Sequence, residues 1–520
     1  MPERMVRPYG SWKSPITSDL IISETVSLGD AHCDGKDIYW IEGRPSEGGR
    51  YVIVRRSLDG STADLTPCPL NARTRVHEYG GGAYMVDRGT VYFSNFADGR
   101  LYEQLKGELP HPLTVEGSFR YADIIMDRAR KRLISVCEDH SDTTREAVNS
   151  IVATRLEAGS RPEILLSGND FYSNPRLSPD GKTLCWLSWN HPNMPWDGTQ
   201  LWLADVTDDG SLSSERLIAG SKSESIFQPE WAPDGTLYFV SDRSGWWNIY
   251  RLRHPGVEPV TNLEVEFGAP QWVFGTSLYC FAAPNKIFCT FDERGFWRFA
   301  TIDTDSLRLE KINLPYTEVR GVHACDGKVL FWAGSAMEPV SVALYDLASG
   351  KVETLRRTTN VKVDSDYLSL PEAIEFPTSQ GLTAFGLFYR PKSRDQKGPA
   401  GEKPPLIVIS HGGPTGAASS ALNLGIQFWT SRGFGVLDVN YGGSTGYGRA
   451  YRERLNGAWG VVDVEDCING ARYLAERGEA DDKRLIIRGG SAGGYTTLAA
   501  LTFHDVFKAG ASYYGISDIE

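Results

Sequence analysis

A serine set among small residues is the part of the chain with the clearest capacity for chemistry. The segment Gly489-Gly-Ser491-Ala-Gly493 follows the apolar run 485–487 and precedes the helix-forming run 498–501. A G-x-S-x-G pattern between a strand and a helix places its serine on a tight turn, which exposes the hydroxyl at the C-terminal end of the strand. We therefore predict that Ser491 is the nucleophile of an acyl-transfer reaction, and that the Ala492 N–H stabilises the oxyanion. The alternative is a glycine-rich turn that holds an incidental serine.

The segments around this serine predict alternating strands and helices. Apolar strands at 406–410 and 435–439 and an amphipathic helix at 463–477 indicate a mostly parallel, doubly wound sheet. Two antiparallel strands, at 372–376 and 383–389, precede it. This is the plan of an α/β-hydrolase domain, whose functional loops lie at the C-terminal ends of the strands.

One such loop is His411-Gly-Gly-Pro414, directly after the strand at 406–410. Because glycine lets the backbone approach a substrate closely, the N–H of Gly412 or of Gly413 is predicted to be the second oxyanion donor. The alternative for this segment is a plain turn.

A short phrase, in which a polar turn leads into an aromatic or β-branched strand, recurs between residues 20 and 360 at intervals of about 40 to 50 residues. The copies are Asp37-Ile-Tyr-Trp, Thr90-Val-Tyr-Phe, Arg132-Leu-Ile-Ser, Thr183-Leu-Cys-Trp, Thr236-Leu-Tyr-Phe, Ser277-Leu-Tyr-Cys and Lys328-Val-Leu-Phe. This period predicts an all-β, seven-bladed propeller. An eighth blade and a pair of β-sandwiches are the alternatives.

Three propeller segments carry more charge, glycine and tryptophan than a turn requires: 71–82, 190–198 and 241–250. Loops of this composition could line a tunnel or face a partner domain. Within the first of them, Arg75 and Glu78 are predicted to contact one end of a substrate. The alternative is that these are ordinary turns with solvated charges.

The composition narrows the class of partner and compartment. The formal net charge of −12 argues against nucleic acid and anionic membranes as partners. The eight cysteines are scattered without a C-x-x-C pair, which predicts unpaired thiols in a reducing compartment. With no signal peptide visible and no apolar run near the ~20 residues of a membrane span, the predicted location is cytoplasmic. No metal or cofactor is implied.

Long collinear motifs carry a family resemblance. They are Pro8-Tyr-Gly-Ser-Trp-Lys-Ser-Pro-Ile-Thr17, Arg73-Thr-Arg-Val-His-Glu-Tyr-Gly-Gly-Gly82, Trp189-Asn-His-Pro-Asn-Met-Pro-Trp-Asp197, His411-Gly-Gly-Pro414, Tyr441 to Gly448, Trp459-Gly-Val-Val-Asp-Val-Glu-Asp466 and Gly489-Gly-Ser-Ala-Gly-Gly494. Through them the chain resembles the prolyl oligopeptidase family of serine peptidases (family S9), in particular its acylaminoacyl-peptidase/dipeptidyl-peptidase branch.

The resemblance implies an organisation. Residues 1–19 are expected to pack on the hydrolase domain, 20–360 to form the propeller, and 361–520 to form a hydrolase domain without its C-terminal part. The propeller of this family caps the hydrolase domain, so that only short peptides reach the serine.

The resemblance also assigns site residues. Ser491 is the nucleophile, and Gly413 and Ala492 match the oxyanion positions. Apart from the resemblance, we consider six residues candidates for substrate binding: His411, Gly412, Tyr441, Tyr495, Arg75 and Glu78. Tyr441-Gly-Gly443 departs from the Tyr-Arg-Gly of many relatives, so no arginine role carries over.

A base for Ser491 is missing from the pattern. Among nine histidines only His504 follows the serine, and 13 helical residues at ~1.5 Å each place it ~20 Å away. Asp505 and Asp518 are similarly poor candidates for the orienting acid. We expect the chain to be truncated before the βα units that carry both groups, and to be aggregation-prone and nearly inactive alone. The alternatives are an in-chain base such as His411 and a non-catalytic propeller protein.

The predicted function is a serine peptidase that acts on short peptides. Acylaminoacyl, dipeptidyl and internal cleavage all stay open, and an esterase or thioesterase is the enzymatic alternative. A homo-oligomer is left open as well.

Overall fold

Seven antiparallel sheets, arranged as the blades of a propeller, make up the larger part of the described structure. The computed structural model describes residues 4–23 and 25–518. Strand β1 (Met5–Val6) and helix α1 (Ser18–Ile22) precede the blades. Each blade contains four strands that are consecutive in the chain.

The strands of the blades, in chain order, have the following bounds. Blades 1 to 4 are β2 (Ser27–Asp34), β3 (Asp37–Arg44), β4 (Arg50–Arg56), β5 (Thr62–Asp64); β6 (Tyr84–Asp87), β7 (Thr90–Ser94), β8 (Leu101–Gln104), β9 (His111–Pro112); β10 (Phe119–Asp127), β11 (Arg132–Asp139), β12 (Val148–Arg155), β13 (Glu163–Ser167); and β14 (Phe171–Leu177), β15 (Thr183–Trp189), β16 (Gln200–Val206), β17 (Leu212–Gly220). Blades 5 to 7 are β18 (Ile226–Trp231), β19 (Leu237–Ser241), β20 (Asn248–Arg253), β21 (Gly256–Pro259); β22 (Tyr279–Ala283), β23 (Lys286–Glu293), β24 (Phe296–Asp303), β25 (Leu309–Ile312); and β26 (Glu318–Cys325), β27 (Lys328–Ser335), β28 (Glu338–Asp346), β29 (Val352–Arg357).

The predicted seven-bladed propeller is confirmed, with one correction in the sixth blade. In six blades the recurring phrase falls on the second strand, where residues such as Trp40 and Trp186 are buried between blades. In blade 6 the copy at Ser277 instead leads into the first strand, β22, and the equivalent second strand begins at Lys286. The two neighbouring strands are both aromatic there, so the local pattern does not separate them.

The ring closes between blades 1 and 7 without any exchange of strands. Apolar side chains of both blades share one core cluster at this seam, and Arg56 pairs with Glu353 at 2.7 Å. Cys33 of β2 and Cys325 of β26 form a disulfide across the seam. The expectation that all cysteines are unpaired is therefore wrong for these two, because residues 292 positions apart become neighbours only when the ring closes.

The hydrolase part is a six-stranded sheet in the order β30-β31-β34-β33-β35-β36. Its strands are β30 (Pro371–Pro377), β31 (Thr383–Tyr389), β33 (Leu406–Ser410), β34 (Gly435–Asn440), β35 (Leu485–Gly490) and β36 (Ala509–Tyr513), and the short β32 (Gln396–Lys397) pairs with β1. The helices are α2 (Leu424–Thr430), α3 (Arg449–Arg452), α4 (Val462–Glu476) and α5 (Ala492–Phe503), and 3₁₀ turns occupy Pro45–Glu47, Ser365–Tyr367, Ser379–Gly381 and Glu453–Leu455. The α/β-hydrolase-like fold of this part is confirmed.

Alternation along the strands explains the layers. Leu406 and Val408 of β33 lie in a core with α4 and α5, whereas Ile407 of the same strand lies in a core with α2. A strand covered on both faces requires such a continuous apolar run. At the outer edge, β36 is exposed along its whole length, and Phe503 and Tyr514 nearby are 76% and 87% exposed.

Blades 4 to 7 hold the hydrolase part through buried charges. Asp242 accepts hydrogen bonds from Arg449 at 2.6 Å and Arg452 at 2.7 Å. Glu266 accepts the Gly448 N–H at 3.0 Å. Desolvation by burial, reinforced by neighbouring carboxylates, raises the pKa of Glu266 to about 7 and that of Asp292 to about 8.

Two further predictions from the sequence concern membrane helices and the division of the chain. No helix within the described ranges is long and apolar enough to cross a membrane. The division of the chain at residues 19 and 360 stays a prediction.

The seam disulfide leads to a stability prediction. Cys325→Ser opens a very long covalent loop, so the apparent free energy of unfolding should fall by roughly 2–4 kcal/mol. Thermal unfolding with and without a reducing agent measures this, with the exposed free thiol variant Cys68→Ser as the control. Equal melting of Cys325→Ser and the oxidised parent protein would contradict the prediction.

The interface carboxyls lead to a prediction on pH. A carboxyl with a raised pKa binds its proton more tightly in the folded state, so its contribution to stability falls as pH rises from about 4 to about 8. Asp292→Asn removes this ionisation while its side-chain oxygen can still accept the Gly295 N–H. Its melting temperature should fall less than that of the parent protein between pH 6 and 8.5. The exposed Asp305→Asn is the control, and parallel curves for all three proteins would refute the assignment.

Candidate active site

Ser491 stands on a strained turn between β35 and α5. Its φ of 54° and ψ of −122° lie in a region that residues with a side chain rarely adopt. Glycines make the turn possible on both sides: a Cβ at Gly489 would lie 2.2 Å from the Gly493 oxygen, and one at Gly493 would lie 2.0 Å from the Ser410 oxygen. The Ser491 N–H donates to the Tyr513 oxygen at 3.1 Å, which ties the turn to β36.

The loop after β33 lies directly against this turn. A Cβ at Gly412 would lie 3.5 Å from the Ser491 Cβ and 3.2 Å from the Gly490 oxygen. Gly413, with φ of 133°, follows in a conformation that favours glycine. Neither the Gly413 N–H nor the Ala492 N–H donates a hydrogen bond within the described residues. Both are therefore available to a bound group.

His411 and Tyr441 form the base of that loop. Their rings stack with centroids 4.3 Å apart. The Tyr441 hydroxyl lies in donor position to two loop carbonyl oxygens, that of His411 at 3.0 Å and that of Pro414 at 3.2 Å. His411 Nδ1 lies 2.9 Å from the Gly412 oxygen, and Nε2 lies 2.7 Å from the Ser444 hydroxyl. Burial lowers the pKa of His411 to about 4. Both ring nitrogens are thus engaged in fixing the loop.

Two carboxylates near the start of α4 fix the neighbouring segments. Asp466 accepts the Gly442 N–H at 2.7 Å, and Asp463 accepts the Gly460 N–H at 2.7 Å and the Thr496 hydroxyl of α5. A Cβ at Gly442 would lie 2.7 Å from Val462 Cγ1. The space beside position 442 is therefore filled, which gives a physical reason for a glycine there.

The serine hydroxyl has no partner within residues 4–23 and 25–518. Its oxygen makes no hydrogen bond in that part of the chain. His504 lies at the C-terminal end of α5, whereas Ser491 lies at its N-terminal end. Tyr495, one turn into α5, is half-buried against Trp459 with ring centroids 5.2 Å apart. The described residues also contain no group of three or more His, Cys, Asp or Glu that could hold a metal ion.

A cavity of about 920 Å³, which we call the aromatic pocket, opens on the propeller face next to the glycine loop. Trp272 joins the two, because its indole N–H donates to the Thr415 oxygen at 2.6 Å. The aromatic walls are Tyr79, Phe171, Trp189, Trp196, Trp272 and Phe274, and the acidic side chains at the pocket are Glu78, Glu138, Glu146 and Asp170. An apolar cavity with a few acidic groups suits an apolar side chain close to a cationic group.

A second strained turn carries part of the rim of this pocket. His77 and Glu78 have φ of 51° and 66°. Buried Glu138 accepts the His77 N–H at 2.7 Å, and Asn149 lies 3.1 Å from His77 Nε2. Burial lowers the pKa of His77 to about 4, although its contact with Asn149 acts in the opposite direction. The turn leaves Glu78 exposed at the rim, 3.0 Å from the Arg75 guanidinium.

Ion pairs link the inner strands of blades 3, 4 and 5. Arg176 of β14 pairs with the buried Asp123 of β10 at 2.9 Å and with the partly exposed Glu230 of β18 at 3.2 Å. The recorded contacts with the hydrolase part come from blades 4 to 7. The aromatic pocket is formed largely by loops of blades 2 to 4.

The structure brings together most of the residues that the sequence singled out. Ser491, Ala492, Gly412, Gly413, His411 and Tyr441 lie at one edge of the sheet. Glu78 lines the pocket beside it, and Arg75 pairs with Glu78 without lining that pocket. Sequence reasoning missed Trp272, Glu138 and Phe171. The sequence contains a signal for Trp272, because the three residues 272–274 are all apolar although they lie in a connection between blades.

Comparison with known proteins adds a family context. A prolyl oligopeptidase family model matches residues 420–520. The structure of a Mycobacterium tuberculosis puromycin-hydrolysing peptidase superimposes with a TM-score of 0.95 and 40% identity, covering 99% of this chain and 81% of that one. Dipeptidyl aminopeptidase BIII of Pseudoxanthomonas mexicana is 31% identical over 37% of this chain and 29% of its own length. The acylamino-acid-releasing enzyme of Arabidopsis thaliana is 37% identical over 23% of this chain and 17% of its own length.

The aligned segments thus span less than a third of those two curated relatives, whereas the likeness to the mycobacterial structure extends over nearly the whole chain. The chain belongs to the prolyl oligopeptidase family.

Proposed function

We propose that this protein is a serine peptidase that hydrolyses short peptides through an acyl-enzyme on Ser491. The observation that carries the proposal is the strained backbone at Ser491, which lies against the glycine loop and between two N–H groups, those of Gly413 and Ala492, that have no acceptor within the described residues. In the reaction, Ser491 Oγ attacks the peptide carbonyl carbon, the amine leaves with a proton, and water then releases the acyl group. Strain at a residue of this type is characteristic of functional turns.

The N–H groups of Gly413 and Ala492 are proposed to bind the oxyanion. Two backbone donors fixed in advance stabilise the charge that develops on the carbonyl oxygen, an effect worth about 3 kcal/mol for one donor. Gly412, which lies against Ser491, keeps the space for the substrate free because it has no side chain.

His411 and Tyr441 are proposed to position this loop rather than to exchange protons with substrate. The Tyr441 hydroxyl is hydrogen-bonded to loop carbonyls and its side chain is fully buried. His411 has both nitrogens in contacts and a lowered pKa. These contacts argue against His411 as the base.

The general base and its orienting acid are proposed to come from further βα units beside β36. Two observations support this part of the proposal. The exposed edge of β36 and the exposed Phe503 and Tyr514 offer a surface on which such units can pack. The mycobacterial peptidase also extends beyond the part that this chain matches, since 81% of it is covered.

The substrate is proposed to present an apolar, preferably aromatic, residue and a free amino group. The aromatic pocket receives the side chain, and Glu78, oriented by Arg75, binds the ammonium group at the rim. The likeness to a peptidase described as puromycin-hydrolysing supports this choice, because puromycin joins an aromatic amino acid with a free amine through an amide. Tyr495 is proposed to border the acyl site from α5.

Labelling by a fluorophosphonate tests the nucleophile. The chain extended by its downstream coding sequence should be labelled and should cleave aminoacyl and dipeptidyl chromogenic amides, and Ser491→Ala should lose both properties by at least about 1,000-fold. The 520-residue chain alone should show almost no turnover. Equal labelling of Ser491→Ala, or no labelling of the extended protein, would reject the peptidase proposal and favour a binding propeller. Turnover of esters alone would favour an esterase.

Glu78→Gln tests the amine contact. Loss of one charge-assisted hydrogen bond at an exposed rim should raise KM for an aromatic aminoacyl amide about tenfold with little change in kcat, because the contact is equal in ground and transition states. The control is Glu116→Gln, which changes an exposed carboxylate away from the aromatic pocket. If KM changes equally in both variants, or only for N-acetylated substrates, Glu78 does not bind the amine.

A further inference from the structure

A second cleft lies beside the aromatic pocket on the same face of the propeller. Its volume is about 360 Å³, and we call it the arginine cleft. Its walls are residues 73–75, 94–99, 117–120 and His140, contributed by connections around blades 2 and 3. Three of the lining side chains are arginines, whereas the chain as a whole has a net charge of −12. A cluster of three arginines in a protein with a net negative charge suggests that the cleft binds a negatively charged group.

Arg73 is held in place without using its hydrogen-bond donors. Its guanidinium carbon lies 5.2 Å from the ring centroid of Tyr51 and 4.9 Å from that of Phe96. These cation–π contacts hold the guanidinium group beside both rings. No side-chain hydrogen bond or ion pair of Arg73 is recorded within the described residues. Its five N–H groups are thus prepositioned and available.

The other two arginines are only partly engaged. Arg120 lies 3.7 Å from its one recorded partner, Glu138, beyond ordinary hydrogen-bond length. Arg75 reaches Glu78 at 3.0 Å on the side of the aromatic pocket.

The carboxylates near the cleft are already satisfied. Asp98 accepts from Asn95 at 2.9 Å and from the Tyr102 hydroxyl at 2.8 Å. Glu138 accepts from the His77 N–H at 2.7 Å, and its other oxygen lies 3.0 Å from His140 Nε2. The carboxylate acceptors near the cleft therefore already have hydrogen-bond donors, whereas the N–H donors of Arg73 have no acceptor within the described residues. The group that the cleft lacks is a negatively charged hydrogen-bond acceptor.

We propose that the arginine cleft binds an oxyanion, a carboxylate or a phosphate, between Arg73 and Arg120. Planar guanidinium forks match the paired oxygens of both groups. The ligand has two sources: an acidic group of a peptide that extends from the aromatic pocket, with which the cleft shares His140, or free phosphate. The site does not depend on catalysis at Ser491.

Calorimetric titration of the full chain tests the site with two probes, inorganic phosphate and glutarate. At least one probe should bind the parent protein, and Arg73→Gln and Arg120→Gln should each weaken it about tenfold or more. The control is Arg161→Gln, which removes an equal charge at an exposed position outside the cleft and should bind like the parent protein.

The outcomes separate the sources and decide the proposal. Binding of glutarate alone assigns a peptide carboxylate, and binding of phosphate alone assigns free phosphate. If neither probe binds the parent protein, or if Arg73→Gln and Arg120→Gln bind like Arg161→Gln, the proposal is wrong. Should Arg73→Gln unfold, as monitored by circular dichroism, Arg73→Lys replaces it: the lysine keeps the charge but lacks the fork, and is expected to weaken binding as well.

Discussion

The left-handed backbone at Ser491 is the constraint on which the arrangement of the site depends. A side chain at this φ is tolerated only because the surrounding residues fix it from several directions. Gly489 and Gly493 lie so close to neighbouring carbonyl oxygens that any Cβ would collide with backbone. The close approach of strand, helix and glycine loop follows from these contacts, and the Ser491 hydroxyl is left without a partner among residues 4–23 and 25–518.

Support for the glycine loop extends outward in layers. Tyr441 and His411 hold the loop carbonyls, Asp466 holds Gly442, and Asp463 bonds to both Gly460 and Thr496. Each buried polar group in this series has a partner, as the low dielectric of an interior requires. The backbone N–H groups that are proposed to bind the oxyanion are therefore held in place before any substrate arrives.

The propeller both anchors the hydrolase part and forms the two clefts. Ion pairs of Arg176 link its inner strands, and buried charges such as Asp242 with Arg452 fasten blades 4 to 7 to the hydrolase part. The loops of blades 2 to 4 are left to form the aromatic pocket and the arginine cleft. Blades 4 to 7 of the propeller thus bind the hydrolase part, and the loops of blades 2 to 4 form one cleft with acidic side chains and one cleft with arginines.

Features that arise from local sterics and periodicity could be predicted from the amino-acid sequence. The turn at Ser491, the parallel strands around it and six of the seven repeat positions follow from glycine spacing, apolar runs and turn residues, each of which acts within a few positions. Which distant residues meet depends on the folded ring. The Cys33–Cys325 pair, the indole of Trp272 at the Thr415 oxygen and the free guanidinium of Arg73 between two rings join separate strands and loops, and closure of the ring brings them together. No local pattern encodes such contacts, because they depend on the relative placement of blades.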